Sequence, residues 1–177
     1  MKEILYQLGV NQGGTKLDVV HALNDHLLHN LNKGRDTVLI VDEAQAIDDV
    51  AIFEELRLLL NFQLNDRFLL TLILLGQPEL RTKVEAYAQL SQRIVIRYHL
   101  MPFDAEGVGE YVDFRMQAAG ASRVVFMPEA MQAIYDASSG VPRKINTIAD
   151  LALLIGFMEQ CKQIGPEVVK KAFMEAR

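Results

Sequence analysis

Asp42 and Glu43 are the residues of this chain whose types and placement most directly suggest chemistry. They follow at once on Thr37-Val38-Leu39-Ile40-Val41 and lead into Ala44-Gln45. The five residues before the acids are apolar or β-branched without alternation, which predicts a strand buried on both faces of a parallel sheet. An acid at the carboxyl end of such a strand projects into the crevice where open α/β sheets bind their ligands. Two successive acids there form the arrangement of a Walker B segment. The first, Asp42, holds Mg²⁺, usually through water, and the second, Glu43, polarises the water that attacks a γ-phosphate. From this stretch alone a plainer reading stands beside it: a buried strand whose Asp begins the next turn or helix.

The elements that must position these acids can be read along the chain. Lys2 to Leu8 reads as a short helix closed by Gly9. Gly13-Gly14-Thr15-Lys16 is not a phosphate loop, because that motif needs Gly-x4-Gly-Lys-Ser/Thr between a strand and a helix, and no other segment supplies it. Leu17, Val20, Leu23, Leu27, Leu28 and Leu31 recur at helical spacing. The opposite face carries Asp18, His21, Asp25 and His29, a wet face rather than a metal site. Gly34 ends this helix and the acid-tipped strand follows.

Asp48 is the expected N-cap of a helix running to about Asn61, with Ile52, Phe53, Leu56, Leu59 and Leu60 inward. Phe68 to Leu75 is a second continuous apolar strand, ending in Gly76-Gln77-Pro78-Glu79. Strand, helix and strand in this order make a right-handed βαβ unit with a parallel pair. If the strands are neighbours, Gln77 lands beside Asp42 and Glu43. A helix from about Glu79 to Ala88 leads to Ile94–Leu100, whose alternation predicts a third strand.

Beyond Met101-Pro102-Phe103 the pattern turns helical. Asp104 caps a helix to about Ala118, Gly120 closes it, and Pro128, Pro142 and Pro166 sit like first-turn prolines. The expected division is an α/β part over residues 1–102 and a small all-helical part over residues 103–177.

Composition narrows the class. With 177 residues, half of them apolar, the chain can bury a core. The net charge of −5 argues against a protein that chiefly blankets nucleic acid, although a local basic patch could lie within an acidic total. Cys161 is the single cysteine, so no internal disulfide can form, which fits a reducing, cytoplasmic compartment. The first residues lack the apolar core of a signal peptide, and the apolar run from Phe68 to Leu75 is far short of a membrane span.

Four spaced motifs occur in order: Val38-Leu39-Ile40-Val41-Asp42-Glu43-Ala44-Gln45, Leu74-Leu75-Gly76-Gln77-Pro78-Glu79-Leu80, Leu90-Ser91-Gln92-Arg93-Ile94, and Ser139-Gly140-Val141-Pro142-Arg143-Lys144-Ile145-Asn146. Together they resemble the AAA+ ATPases of the general secretion pathway protein A (ExeA-like) group, which also look similar to transposon-associated ATPases. The resemblance implies a partial P-loop NTPase core, a parallel sheet with flanking helices, followed by a helical lid. It implies ATP and Mg²⁺ as ligands, with Asp42 and Glu43 as the Walker B pair. Gln77 falls at sensor 1, where an amide can donate to phosphate and orient water. Arg93, with Arg97 nearby, falls in the arginine-finger region, and Arg143 at sensor 2, at the start of a lid helix.

Members of that group open with a strand, a P-loop ending in Gly-Lys-Thr, its helix and a further strand. Met1 falls roughly where the helix after that second strand would begin, which leaves open a shortened chain or a late natural start. The backbone amides and lysine that cradle phosphates have no counterpart here, so weak nucleotide binding and no turnover are expected of these residues. Self-association into a homo-oligomer is expected, partly through exposed strand edges. The implied role is in assembly of a secretion or pilus complex. A transposition-type, DNA-linked regulator is the alternative, with Arg115, Arg123, Arg143, Lys144, Lys162, Lys170 and Lys171 as its basic candidates, though acids interleave them. A non-catalytic interaction module is a third.

Overall fold

The computed structural model describes residues 2–10, 14–65 and 67–176. The chain divides into two compact units, Met1–Arg97 and Tyr98–Arg177.

In the first unit, α1 (Lys2–Gln7) precedes α2 (Lys16–Asn32). Thr15 starts α2 with a capping box: its hydroxyl accepts from the Asp18 N–H, and the Asp18 carboxylate accepts from the Thr15 N–H at 2.7 Å. β1 (Val38–Val41) is followed by a 3₁₀ turn (Ala44–Ala46) and α3 (Val50–Leu59). The cap of α3 is Asp49, whose carboxylate accepts from the Ala51 N–H, and not Asp48, which is engaged elsewhere. A small antiparallel pair, β2 (Gln63–Leu64) with β3 (Arg67–Phe68), then leads to β4 (Thr71–Leu74). α4 (Glu79–Glu85) and α5 (Ala88–Ser91) complete the unit.

β1 and β4 pair in parallel, Val38 opposite Thr71 through Val41 opposite Leu74, as the βαβ reading requires. Three expectations for this sheet need correction. The apolar run at 68–75 is not one strand: Phe68 belongs to the β2–β3 pair and is exposed, while Leu69 and Leu70 turn inward and are buried. Nor are β1 and β4 buried on both faces. Leu39, Val41, Leu72 and Leu74 pack on a core built from Leu23, Leu27, Phe53, Leu56 and Leu59, whereas Val38, Ile40 and Ile73 face outward and are exposed. Helices cover only one face of this sheet, so a run that reads as doubly buried is realised as one wet and one dry face. Ile94–Leu100, finally, is not a strand among the described residues. Val95, Ile96, Tyr98 and Leu100 are each more than 80% exposed. Alternation marks what a segment could pair with, and a strand forms only where a free ladder edge meets it.

The second unit packs α6 (Ala105–Ala118), α7 (Pro128–Ser138), α8 (Pro142–Met158) and α9 (Pro166–Glu175) around Val108, Ile134, Ile145, Ile148 and Val169. Asp104 caps α6 by accepting from the Gly107 N–H, and α7, α8 and α9 each begin with the expected proline. Between α7 and α8 the chain turns through Ser139 (φ 53°) and Gly140 (φ 72°), both left-handed. The Gly140 carbonyl accepts from the Phe103 N–H at 3.0 Å, and a Cβ on Gly140 would run into the Phe103 carbonyl oxygen. Gly140→Ala should therefore destabilise this unit by about 1–3 kcal/mol, from left-handed strain and the displaced Phe103 backbone. Thermal or urea unfolding followed on the tyrosines of the second unit measures it, and an unchanged midpoint would show that the turn is not held as described.

Candidate functional site

The site is built where β1 ends. The ladder runs one step beyond the strands, the Leu75 N–H donating to the Val41 carbonyl and the Ala44 N–H donating to the Leu75 carbonyl, both at 2.9 Å. Ala44 is thereby drawn under the end of β4 and is fully buried. To make that turn Glu43 adopts a left-handed backbone, φ 52° and ψ 34°. This conformation costs an ordinary L residue about 1–2 kcal/mol. Such strain is characteristic of positions where the side chain's chemistry matters more than the backbone's comfort.

Asp42 and Glu43 are both exposed at this carboxyl end. One Asp42 oxygen, Oδ1, accepts from the Glu43 N–H at 2.8 Å. The Glu43 carboxylate accepts from the Gln45 side-chain amide at 2.5 Å. The oxygen of that same amide accepts from the backbone N–H of Gln77 at 3.1 Å. The structure thus brings Asp42, Glu43 and Gln77 to one edge of the sheet, joined through Gln45. Gln77 is exposed at the start of the turn into α4, and its own side-chain amide makes no hydrogen bond to the described residues.

Behind the acids, Lys83 on α4 clamps the turn. Its ammonium donates to the carbonyls of Gln45 (2.6 Å) and Ile47 (3.1 Å) and pairs with the Asp48 carboxylate at 2.5 Å. The Lys83 hydrogen bond, reinforced by its charge, holds the Asp48 carboxyl below the ordinary carboxylate range.

Of the arginines of the expected site, Arg93 belongs to the first unit and Arg143 to the second. Arg93 is exposed and donates from Nη1 to the Asn61 side chain at 2.7 Å. Because β1 and β4 are parallel, α3 must carry the chain back to the amino edge of the sheet, so Asn61, just past its end, and Arg93 with it, lie towards the edge opposite Asp42. Arg97 donates from Nη2 to the Ser91 carbonyl and hydroxyl at 2.8 and 2.9 Å, which leaves Arg93 the less committed of the two. Arg143, in the second unit, stands exposed in the first turn of α8 beside Lys144, with no acid in that turn. Two cations at a helix N-terminus oppose the helix dipole and, together with the free N–H groups, suit a bound anion. Asn146 of the same motif has a structural part: its Oδ1 accepts from the Tyr111 hydroxyl at 3.0 Å, tying α6 to α8.

Among the described residues no group of three His, Cys, Asp or Glu side chains could hold a metal. Mg²⁺ does not require one, since it binds through one or two carboxylates, retained waters and phosphate oxygens. Asp42, with Oδ1 engaged by a backbone amide and its other oxygen without a hydrogen bond from the described residues, fits that mode. Gln45 and Lys83 were not anticipated as site residues. Gln45 stood inside the Asp42-Glu43-Ala44-Gln45 motif, and only the left-handed turn reveals that its side chain reaches back.

Residues 1–84 match the AAA domain family. The fold resembles that of the Aeropyrum pernix ORC2 protein in its ADPNP–ADP complexes, with a TM-score of 0.73 at 19% identity, covering 98% of this chain and 48% of that one. A RuvB mutant of Thermotoga maritima superposes with a TM-score of 0.63 at 17% identity, covering 86% of this chain and 49% of that one. The fold defines the class, that of the AAA+ proteins, and residues 1–84 belong to its AAA domain family. Within it the chain belongs with the general secretion pathway protein A group, being 44% identical over 146 residues to that protein of Aeromonas hydrophila. Those residues are 81% of this chain and 26% of the relative, so the chain spans about a quarter of it.

Lys83 offers a direct check on the turn. Asp48 has a depressed carboxyl, so its contribution to stability is present above the ordinary carboxylate value and is lost as pH falls through the lowered one. Lys83→Met should lower stability at neutral pH by removing the donor to two carbonyls, and its deficit relative to the parent should narrow below about pH 4 as Asp48 protonates. Urea unfolding across pH 3–7 measures the difference, and a deficit independent of pH would mean that the Asp48 pair adds nothing.

Proposed function

We propose that this chain is the Walker B, sensor and lid portion of an ATPase in which Asp42, Glu43 and Gln77 act on Mg²⁺-bound ATP. The observation that carries the reading is the acid pair at the carboxyl end of β1, set beside Gln77 after the parallel β4. ATP with its Mg²⁺ supplies the scissile phosphoanhydride. Asp42 would hold the hydrated cation through its second oxygen. Glu43 would accept hydrogen bonding from the attacking water and take up its proton, and Gln77 would orient that water with an amide that both donates and accepts. Arg143 would meet the nucleotide from the start of α8.

Arg93 is proposed to act on the nucleotide of a neighbouring copy. Its place towards the edge opposite Asp42 supports this, because its one hydrogen bond runs to the neutral Asn61 side chain and the acid that feels its charge is Glu54 on α3, not Asp42 or Glu43. Self-association is part of the same reading, favoured by the exposed apolar side chains of Val95, Ile96, Tyr98 and Leu100 and by the open edges of the β1–β4 pair. The proposed setting is cytoplasmic, and the proposed role is energising assembly of a secretion or pilus complex. No helix among the described residues is long and apolar enough to cross a membrane. These 177 residues hold no Gly-x4-Gly-Lys-Ser/Thr segment, so by themselves they are proposed to bind ATP too weakly to hydrolyse it.

The test is a nucleotide titration of this chain beside a chimera carrying it behind the P-loop portion of the Aeromonas relative. The chimera should bind and hydrolyse ATP, and the chain alone should do neither. In the chimera, Glu43→Gln should leave binding nearly intact and slow hydrolysis by about two or more powers of ten. Hydrolysis at the parent rate would sink the assignment.

Mixing an Arg93→Ala chimera with a Glu43→Gln chimera should restore part of the activity that each lacks alone, since a mixed interface can pair an intact arginine with an intact acid. With mixed assembly verified by mass, no recovery at any ratio would exclude an arginine acting between copies.

A further inference from the structure

We propose that Gln45 is a positioning residue that ties Glu43 to the Gln77 loop, so that the acid ending β1 and the amide following β4 respond as one unit. The proposal rests on the reading of Glu43 and Gln77 as the pair acting on water, and adds to it a residue that acts through both of them.

A single planar amide spans the two elements. Its nitrogen donates to Glu43 Oε2 at 2.5 Å and its oxygen accepts from the Gln77 N–H at 3.1 Å. Chemistry fixes which end is which, because only an NH₂ can face a carboxylate and only an oxygen can face a backbone N–H. Gln45 is itself held: it is half-buried, and its carbonyl accepts from the Lys83 ammonium at 2.6 Å. Glu43 needs such a restraint. Its carboxylate is exposed and its backbone is left-handed, and among the described residues the Gln45 amide is the hydrogen-bond donor that fixes the direction of its side chain.

Gly76 makes room for the link. A Cβ built on Gly76 would lie 2.5 Å from the Gln45 side-chain oxygen and 3.3 Å from the Gln45 backbone nitrogen, while the residue's φ lies outside the left-handed region. The requirement for glycine here is therefore close approach, of the Gln45 amide first and of the Leu80 side chain at 3.0 Å second, and not backbone freedom. An alanine at 76 would crowd that amide oxygen while leaving the identities of Glu43, Gln45 and Gln77 unchanged.

The coupling is readable in this chain without nucleotide, by proton–nitrogen NMR of the Gln77 amide and of the Gln45 side-chain NH₂. Gln45→Met removes both hydrogen bonds at nearly constant volume and should speed hydrogen exchange at the Gln77 amide by about five- to tenfold, the effect of one lost hydrogen bond. Gln45→Glu keeps an acceptor for Gln77 and should keep its protection, while placing a carboxylate against Glu43. Gly76→Ala should release the Gln77 amide as Gln45→Met does, and the resonances of α2 and α3, which pack on β1 and β4, serve as the control that the first unit stays folded. The deciding measurement is a cycle: Glu43→Ala should shift the Gln77 amide resonance in the parent chain and leave it unmoved in Gln45→Met. A passive packing role predicts equal shifts in both backgrounds, and that result, or a Gln77 amide indifferent to Gln45→Met, overturns the proposal. Failure of the ATP titration with the cycle intact would instead remove the hydrolytic reading and leave the mechanical link standing.

Discussion

The parallel register of β1 on β4 is the constraint on which the remaining features of the first unit depend. It sets Val41 opposite Leu74, and the two further hydrogen bonds at Leu75 bring both chains to the sheet edge at the same level. A slip of one residue would turn Leu39 and Val41 outward, exchange them for Val38 and Ile40, and shift the acids by about 3.3 Å relative to Gln77. The burial of Leu39, Val41, Leu72 and Leu74 against the helices therefore fixes chemistry as well as stability. α3 is the means by which the chain returns to pair in parallel, and its capping by Asp49 releases Asp48 to meet Lys83.

The second unit solves a similar problem with different means. Its core is helical, and the placement of Arg143 depends on a turn whose two left-handed residues, Ser139 and Gly140, deliver Pro142 to the first position of α8. The bond from Phe103 to Gly140 closes that turn against the segment entering α6. Tyr111, stacked on Phe103 and bonded to Asn146, continues the same link into α8. Arg143 is left with its side chain exposed because the neighbouring motif residues carry the structural duties.

Much of this was legible in the residues. Helical spacing found α2, the prolines and Asp104 marked the helices of the second unit, and the two apolar runs separated by a helix gave the parallel pair and the neighbourhood of Gln77. What escaped had physical causes. A strand's burial on its second face depends on what packs there, so Val38 and Ile40 read as core and are exposed. Ile94–Leu100 alternates correctly, but alternation does not by itself bring a segment against the edge of a sheet. Asp48 and Asp49 are equally good caps by composition, and the partner offered by Lys83 separates them. Gln45 was visible as a letter in a motif, while its reach depends on a left-handed glutamate that no propensity would suggest.

That glutamate sets two demands against each other at one position. The backbone at residue 43 is one that glycine or asparagine adopts at little cost, whereas the acid has to be strained into it. Selection for thermal robustness alone would push this position towards glycine, and selection for an acid at the sheet edge would push it back. Residue 43 is therefore a place where a library sorted by folding yield and one sorted by chemistry would diverge, and that divergence would mark the acid as retained for what it does.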